Sequence, residues 1–194
     1  MPDIQTTPII CETSRLILRQ FNESDVEPLF NLLGDPEVMR FSVKGPLTRQ
    51  DILTKYLSSC VKRYSRDGLG QWAVVLKSTG KCIGECGICV QEVEGKREFE
   101  ISYRICRDLW GLGLATEAAQ ACCEYGFKKA GLQRLISIIE SENVASIRVA
   151  VKMGMTLEKS VSFHNLPVLI YSLTIPSVAA YARTPSHGRK YSSD

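Results

Sequence analysis

Hydrophobic and polar positions along the 194-residue chain change period several times, and each change marks a new element. Arg15 to Gln20 (Arg-Leu-Ile-Leu-Arg-Gln) alternates as a first strand. Asn22 or Ser24 then offers an N-cap for a helix running to about Leu33, with Gly34 and Pro36 as its stop. Between Thr48 and Arg66 the positions Ile52, Leu53, Tyr56, Leu57, Cys60 and Tyr64 fall on one stripe, which predicts a second amphipathic helix. Gln71 to Leu76 and Lys81 to Val90 return to the strand period around a Ser-Thr-Gly80 hairpin turn. Arg97 to Cys106 gives a fourth strand after a polar loop. Helical spacing resumes at Leu114 and runs through Ala118, Ala119, Cys122 and Tyr125 to about Lys129, with Gly131 as its stop. Leu135 to Ile139 is a fifth strand, and Asn143 caps a helix from Val144 that Gly154 ends. Thr156 to Phe163 and Val168 to Ile175 supply two closing strands. One α/β domain thus spans residues 1–176, and the polar stretch 177–194, with Pro185 and Gly188, reads as a mobile tail.

Composition adds boundaries to this picture. With 44% hydrophobic and 23% charged residues the chain is ordinary for a globular domain with a sizeable core. A net charge of +3, with Lys and Arg scattered among acids, gives no basic patch for direct nucleic-acid binding. No apolar run approaches the ~20 residues of a membrane span, and the N-terminus lacks a signal-peptide layout. A cytoplasmic location is expected.

The richest chemistry lies in Glu100-Ile-Ser-Tyr-Arg-Ile-Cys-Arg-Asp-Leu-Trp110-Gly-Leu-Gly-Leu-Ala-Thr-Glu117, where a strand passes through a glycine turn into a helix. Gly111 and Gly113 remove Cβ atoms that would hold an anion away from the backbone. The free amides of the helix's first turn and the positive end of its dipole then face the loop, so a pyrophosphate is the natural guest. A dinucleotide fold is the weaker reading, because Thr116 stands where its third glycine belongs and a hairpin, not a βαβ unit, precedes the loop. No Gly-Lys-Ser or Gly-Lys-Thr occurs, which excludes a nucleotide-triphosphate loop.

Eight cysteines raise another possibility. Cys82, Cys86 and Cys89 have the spacing of radical-SAM iron–sulfur enzymes. Strict alternation in a strand, however, turns Cys89 away from Cys82 and Cys86, so the three cannot share a cluster. His164 and His187 are remote from any cysteine pair. Reduced, buried cysteines and no metal are expected.

Several motifs then occur in order. They are Glu12-Thr-Ser-Arg-Leu-Ile-Leu-Arg19, the Trp72-Ala-Val hairpin, Glu100-Ile-Ser-Tyr103, Trp110-Gly-Leu-Gly-Leu-Ala-Thr-Glu-Ala118, and Asn143-Val-Ala-Ser146 through Lys152-Met-Gly-Met155. Together, over roughly residues 10–176, they resemble the GNAT acyltransferase superfamily, in the branch that includes bacterial ribosomal-protein N-terminal acetyltransferases. The resemblance implies a mixed, curved, mostly antiparallel seven-stranded sheet flanked by about four helices. It also implies acetyl-CoA as cosubstrate, with its pyrophosphate on the backbone N–H groups of Leu112, Gly113, Leu114, Ala115 and Thr116. Ile105, Asn143 and Ser146 complete the cofactor contacts carried over from the family. Trp110 replaces the family's usual basic residue at the head of this loop, as is common in the branch.

Amine acetylation requires a neutral amine, a donor for the carbonyl oxygen and an acid for the departing thiolate. Glu100 matches the family's acidic position and is the base candidate, its bland counterpart being a sheet-edge carboxylate in a salt bridge. Glu98 shares its face and can substitute or relay through water. Ser146 and Tyr171 are candidate acids, against readings as a solvated helix serine and a core aromatic. Asn143 is also a plain helix cap, Glu140 a loop carboxylate, and His164 with Asn165 belongs to a substrate-side loop. The expected acceptor is the α-amino group of a protein or peptide, attacked directly in a ternary complex by a monomer or homodimer. A small amine (amino acid, polyamine or antibiotic) is the alternative, and a CoA-binding sensor without turnover is a third reading.

Overall fold

The structure, a computed structural model, describes residues 7–175; the segment 177–194 read above as a tail lies outside them. Strands β1 (Ile9–Glu12), β2 (Leu16–Arg19), β3 (Gly70–Leu76), β4 (Lys81–Val93), β5 (Lys96–Ile105), β6 (Arg134–Ile139), β7 (Thr156–Phe163) and β8 (Leu166–Thr174) form one sheet. Its order is β1-β2-β3-β4-β5-β6-β8-β7. Every pairing is antiparallel except β5 with β6. Among the described residues the sheet therefore has eight strands where seven were expected. The addition is β1, a four-residue edge strand with no full alternation of buried and exposed positions, so no period announces it.

Helix α1 (Val26–Leu33) follows a short 3-10 turn that Asn22 caps, and α2 (Arg49–Asp51) runs through a wide π turn at Ile52–Tyr56 into α3 (Leu57–Asp67). A π turn inserts extra rotation into the helical stripe. Leu53, placed on that stripe by sequence, is exposed as a result, while Tyr56 turns inward and donates to Glu85. Helices α4 (Leu114–Lys128) and α5 (Val144–Lys152) complete the fold.

The two sheet faces carry separate cores. On one, α1 and α3 bury Leu29, Leu32, Leu33 and Cys60 against Ala73 and Val75. On the other, α4 packs Ala118, Ala119 and Cys122 against Trp72, Val74, Cys86 and Ile88. Trp72, fully buried, meets Tyr125 of α4 edge-on at 5.2 Å. Arg19 at the end of β2 holds Asp25 through two bonds of 2.7 and 2.8 Å, both side chains buried. This pair ties the sheet to the entry of α1, and removing one partner alone would cost about 3–5 kcal/mol.

A bulge in β4 corrects the expected cysteine facing. Val74 pairs with Gly84 but Val75 with Cys82, so Ile83 is an extra residue that inverts the alternation. Cys82 consequently packs on the α1 face, Cys86 lies under α4, and Cys89 meets Arg63 of α3. Cys86, not Cys89, is the one turned away. All eight cysteines are free thiols. Among the described residues no group of three or more His, Cys, Asp or Glu is placed to hold a metal ion, and no helix is long and apolar enough to cross a membrane.

Candidate active site

The sheet opens where its one parallel pair begins. Strands β5 and β6 share a single registered pair, Glu100 with Ile136, reinforced by Ser137 Oγ donating to the Ile101 carbonyl at 3.1 Å. From there toward Ile105 a cleft of about 1170 Å³ opens, bordered by the start of α4, by α5 and by the segment before α2. A cleft of this size at the end of a parallel pair is a usual place for a ligand.

The glycine loop forms one wall. Gly111 (φ 81°) and Gly113 (φ 77°) hold left-handed backbone, and Gly113 caps α4. Among the described residues the amides of Leu112 to Thr116 make no hydrogen bond, and they sit at the positive end of a 15-residue helix. Two anchors fix the loop. Trp110 Nε1 donates to the Ile105 carbonyl at 2.7 Å, and Arg15 Nη1 donates to the Leu112 carbonyl at 3.0 Å. Arg15 also pairs through Nε with Glu117 Oε2 at 2.6 Å, while Glu117 Oε1 accepts from Thr13 Oγ1 at 2.5 Å and from the Arg15 amide at 3.0 Å. Burial alone would raise the Glu117 carboxyl, but the bonds from Thr13 and Arg15 outweigh it and hold the group below the ordinary range.

The floor comes from the strand pleat. Glu98, Glu100, Ser102 and Arg104 share the face of β5 that looks toward α3, opposite Gln91, Cys89, Gly87 and Glu85 of β4. Gly87 is required there: a Cβ would come within 1.9 Å of the Gly70 carbonyl oxygen. Glu85, fully buried, accepts from Arg104 Nη1 at 2.6 Å and from the Tyr56 hydroxyl. Glu100 accepts from Gln91 Nε2 at 2.6 Å and borders the cleft. Burial pushes its carboxyl above the usual carboxylate range, against the opposing pull of Gln91, Arg104 and Arg63. A recessed carboxyl with a raised pKa, open to a cleft, is suited to taking a proton.

Comparison with known proteins decides the family. Residues 15–156 match the family described as Acetyltransferase (GNAT) domain. The chain is a GNAT acetyltransferase. It is 36% identical over 160 residues to the uncharacterized protein YkkB of Bacillus subtilis, covering 82% of this chain and 92% of that one. A GNAT-family acetyltransferase structure from Bacillus anthracis superposes with TM-score 0.71 at 27% identity, over 84% of this chain and 96% of the other. RimL, a ribosomal L7/L12 α-N-protein acetyltransferase, shares the fold at TM-score 0.76 and 18% identity, over 90% and 99% of the two chains.

Within this acetyltransferase the sequence-derived residues fall into two groups. Glu100, Ile105, Gly113, Leu114, Ala115, Thr116, Asn143 and Ser146 all border the cleft. Asn143 Oδ1 accepts from the Ser146 amide at 3.1 Å, so it is a helix cap as well as a wall residue. The Ser146 carbonyl accepts from Tyr103 at 2.9 Å, and its hydroxyl has no partner among the described residues. Leu112 stands apart, since its side chain is exposed and its carbonyl is taken by Arg15. Tyr171, on β8 and paired with Ser137 of β6, is 7% exposed and packs in the core cluster under α4; it is not among the residues bordering the cleft. Glu98 likewise pairs with Arg134 at 3.0 Å and does not border the cleft. Glu140 and His164 lie on its wall; His164 (φ 49°) and Asn165 (φ 65°) form the two-residue β7–β8 turn. The Thr13–Arg15–Glu117 clasp and Arg63 were not found by sequence reasoning. An acid in the first turn of α4 was the available signal for the clasp.

Proposed function

We propose that this enzyme transfers an acetyl group from acetyl-CoA to the α-amino group of a protein or peptide, by direct attack within a ternary complex. The observation carrying this reading is that one cleft joins the unpaired amides at the start of α4 to the recessed carboxyl of Glu100. The amides of Leu112 to Thr116 suit the CoA pyrophosphate, because Gly113 leaves the approach free of a side chain and the helix dipole favours negative charge. Acetyl-CoA supplies the activated acetyl group. Glu100 takes the proton from the incoming ammonium, directly or through water; α-amines titrate near ~8, so only a modest pull is needed at neutral pH. Ser146, whose hydroxyl has no partner among the described residues, donates to the departing thiolate in this reading. The fold shared with RimL, which acetylates an α-amino group, accords with that acceptor.

Thiol release from acetyl-CoA, measured against peptides, amino acids, polyamines and aminoglycosides with mass analysis of the products, tests the reading. Acetylation of peptide α-amines is expected. Preference for a small amine would move the assignment to that alternative, and absence of thiol release with every amine would leave a CoA-binding sensor.

A further inference from the structure

Three side chains on the acceptor side of the floor carry hydrogen-bonding capacity that the described residues leave unused. Arg63 reaches from α3 into the cleft and forms no ion pair among them; its Nη1 stands 3.4 Å from Cys89 Sγ. Gln71 of β3, 5% exposed, gives its Nε2 to Ser102 Oγ and lies 3.6 Å from the same sulfur. Its Oε1 is buried without a donor. Glu100 is the third, directly across the β4–β5 ladder from Cys89. A buried amide oxygen without a partner costs free energy unless a ligand supplies the donor.

The local charges say what that ligand carries. Glu85 and Arg104 neutralise each other at 2.6 Å, which leaves Arg63 and Glu100 as the uncancelled pair on the floor. At the mouth, the segment before α2 adds Arg40 and Lys44 against Glu37. A simple monoamine satisfies Glu100 and Gln71 but leaves the guanidinium without an anion. A polyamine sets a second cation beside it, at a like-charge cost. An amine with a carboxylate close by matches all three groups: its N–H bonds go to Glu100 and Gln71 Oε1, and its carboxylate accepts from the fork of Arg63.

We propose that the acceptor is an α-amino compound bearing a carboxylate near its amine, and that Arg63 selects it. This rests on the acetyltransferase reading above and names the acceptor class for the same site. Two sources share that chemistry, a free α-amino acid and a peptide with an acidic residue at its N-terminus.

The test compares kcat/KM for paired acceptors: α-amino acids against their amides, peptides beginning with Asp against the same peptides beginning with Asn, and spermidine as a cationic control. In the wild type, removing the carboxylate should lower kcat/KM by about 10- to 100-fold, in whichever pair contains the true source. Arg63→Gln should shrink that ratio to below about 3-fold, and Arg63→Glu should invert it toward amides and spermidine. An unchanged KM for acetyl-CoA in both variants would show that the fold and the first substrate's site are intact. The proposal is overturned if amides or spermidine match the carboxylates in the wild type, or if Arg63→Gln leaves the ratio unaltered. Absence of thiol release with every amine would sink the transferase reading instead. Calorimetric binding of the paired compounds to the CoA-loaded protein would then decide the role of Arg63 alone, equal affinity for both members of each pair refuting it.

Discussion

Replacing Gly113 by valine should separate loss of CoA binding from loss of the fold. An ideal Cβ at this position meets one neighbour, Arg15 Nη2 at 3.7 Å, which is ordinary contact. The protein itself therefore has room for the side chain, and the stability cost is the left-handed backbone at φ 77°. That strain is about 1–2 kcal/mol for an L-residue, and somewhat more for a β-branched one. In a domain of this size it corresponds to a fall in Tm of roughly 2–8 °C, well within a typical stability of ~5–15 kcal/mol. Binding suffers more. Gly113 borders the cleft, so if the pyrophosphate sits on the α4 amides a branched side chain there crowds it, and losing two charge-assisted bonds at about 1.5–3 kcal/mol each weakens CoA by about 10²- to 10⁴-fold. Gly131, with φ 68° and nothing within 4 Å of an added Cβ, supplies the matched control away from the cleft. Thermal denaturation and calorimetric titration with CoA on both variants should show similar falls in Tm but an affinity loss confined to Gly113→Val. CoA affinity within about 3-fold of wild type in Gly113→Val, or an equal loss in Gly131→Val, would refute the placement of the pyrophosphate.

Two further outcomes follow from the clasp and from the packing of Tyr171 on β8. Because Glu117 titrates below its ordinary value of 4.5 in the folded state, its bonds stabilise the protein above that pH and are lost as pH falls through the lowered value. Glu117→Gln should thus lower Tm at neutral pH, by roughly 2–4 °C for a partly exposed pair worth ~1 kcal/mol, with the difference vanishing in acid; a pH-independent difference would show that its charge is not what holds the loop. Tyr171→Phe should leave kcat and both KM values within about 2-fold, since the ring fills core and its hydroxyl has no partner among the described residues. A rate loss above about 10-fold would assign Tyr171 a part in the reaction.

Much of the fold was legible because its periods are long and its stops chemical. Asn143 and Gly154 bracket α5 as read, and the β3–β4 hairpin turns at the expected glycine. The failures each have a local cause. One extra residue at Ile83 inverts the facing of β4, and alternation counted from sequence cannot register a bulge. A π turn at Ile52–Tyr56 redirects the α2–α3 stripe and sends Tyr56 to Glu85, a contact that a uniform helical period does not contain. The positions of Gly113 at the head of α4 and of Glu100 on the cleft floor were readable because backbone freedom and a strand-borne carboxylate leave marks in one segment. Arg63 was not, since its meaning depends on Cys89 and Gln71, which come from two other strands. The surroundings of Tyr171 were illegible for a similar reason: what a β8 side chain meets is set by its pairing with β6 and β7.

The central claim is that Glu100 removes a proton from the acceptor amine in the cleft where the α4 amides hold the cosubstrate. Its most direct test is the pH dependence of kcat/KM for wild type and Glu100→Gln, with acetyl-CoA binding measured alongside. Glutamine keeps the size and a hydrogen bond to Gln91 but cannot accept the proton. The raised carboxyl must be ionised to act, so the wild-type rate should climb as pH rises through its folded pKa. In Glu100→Gln that limb should disappear, the rate near neutral pH should fall by roughly 10²- to 10⁴-fold with CoA affinity unchanged, and the deficit should shrink at high pH, where the free amine is already neutral. Near-normal rates for Glu100→Gln across the whole pH range would contradict the account.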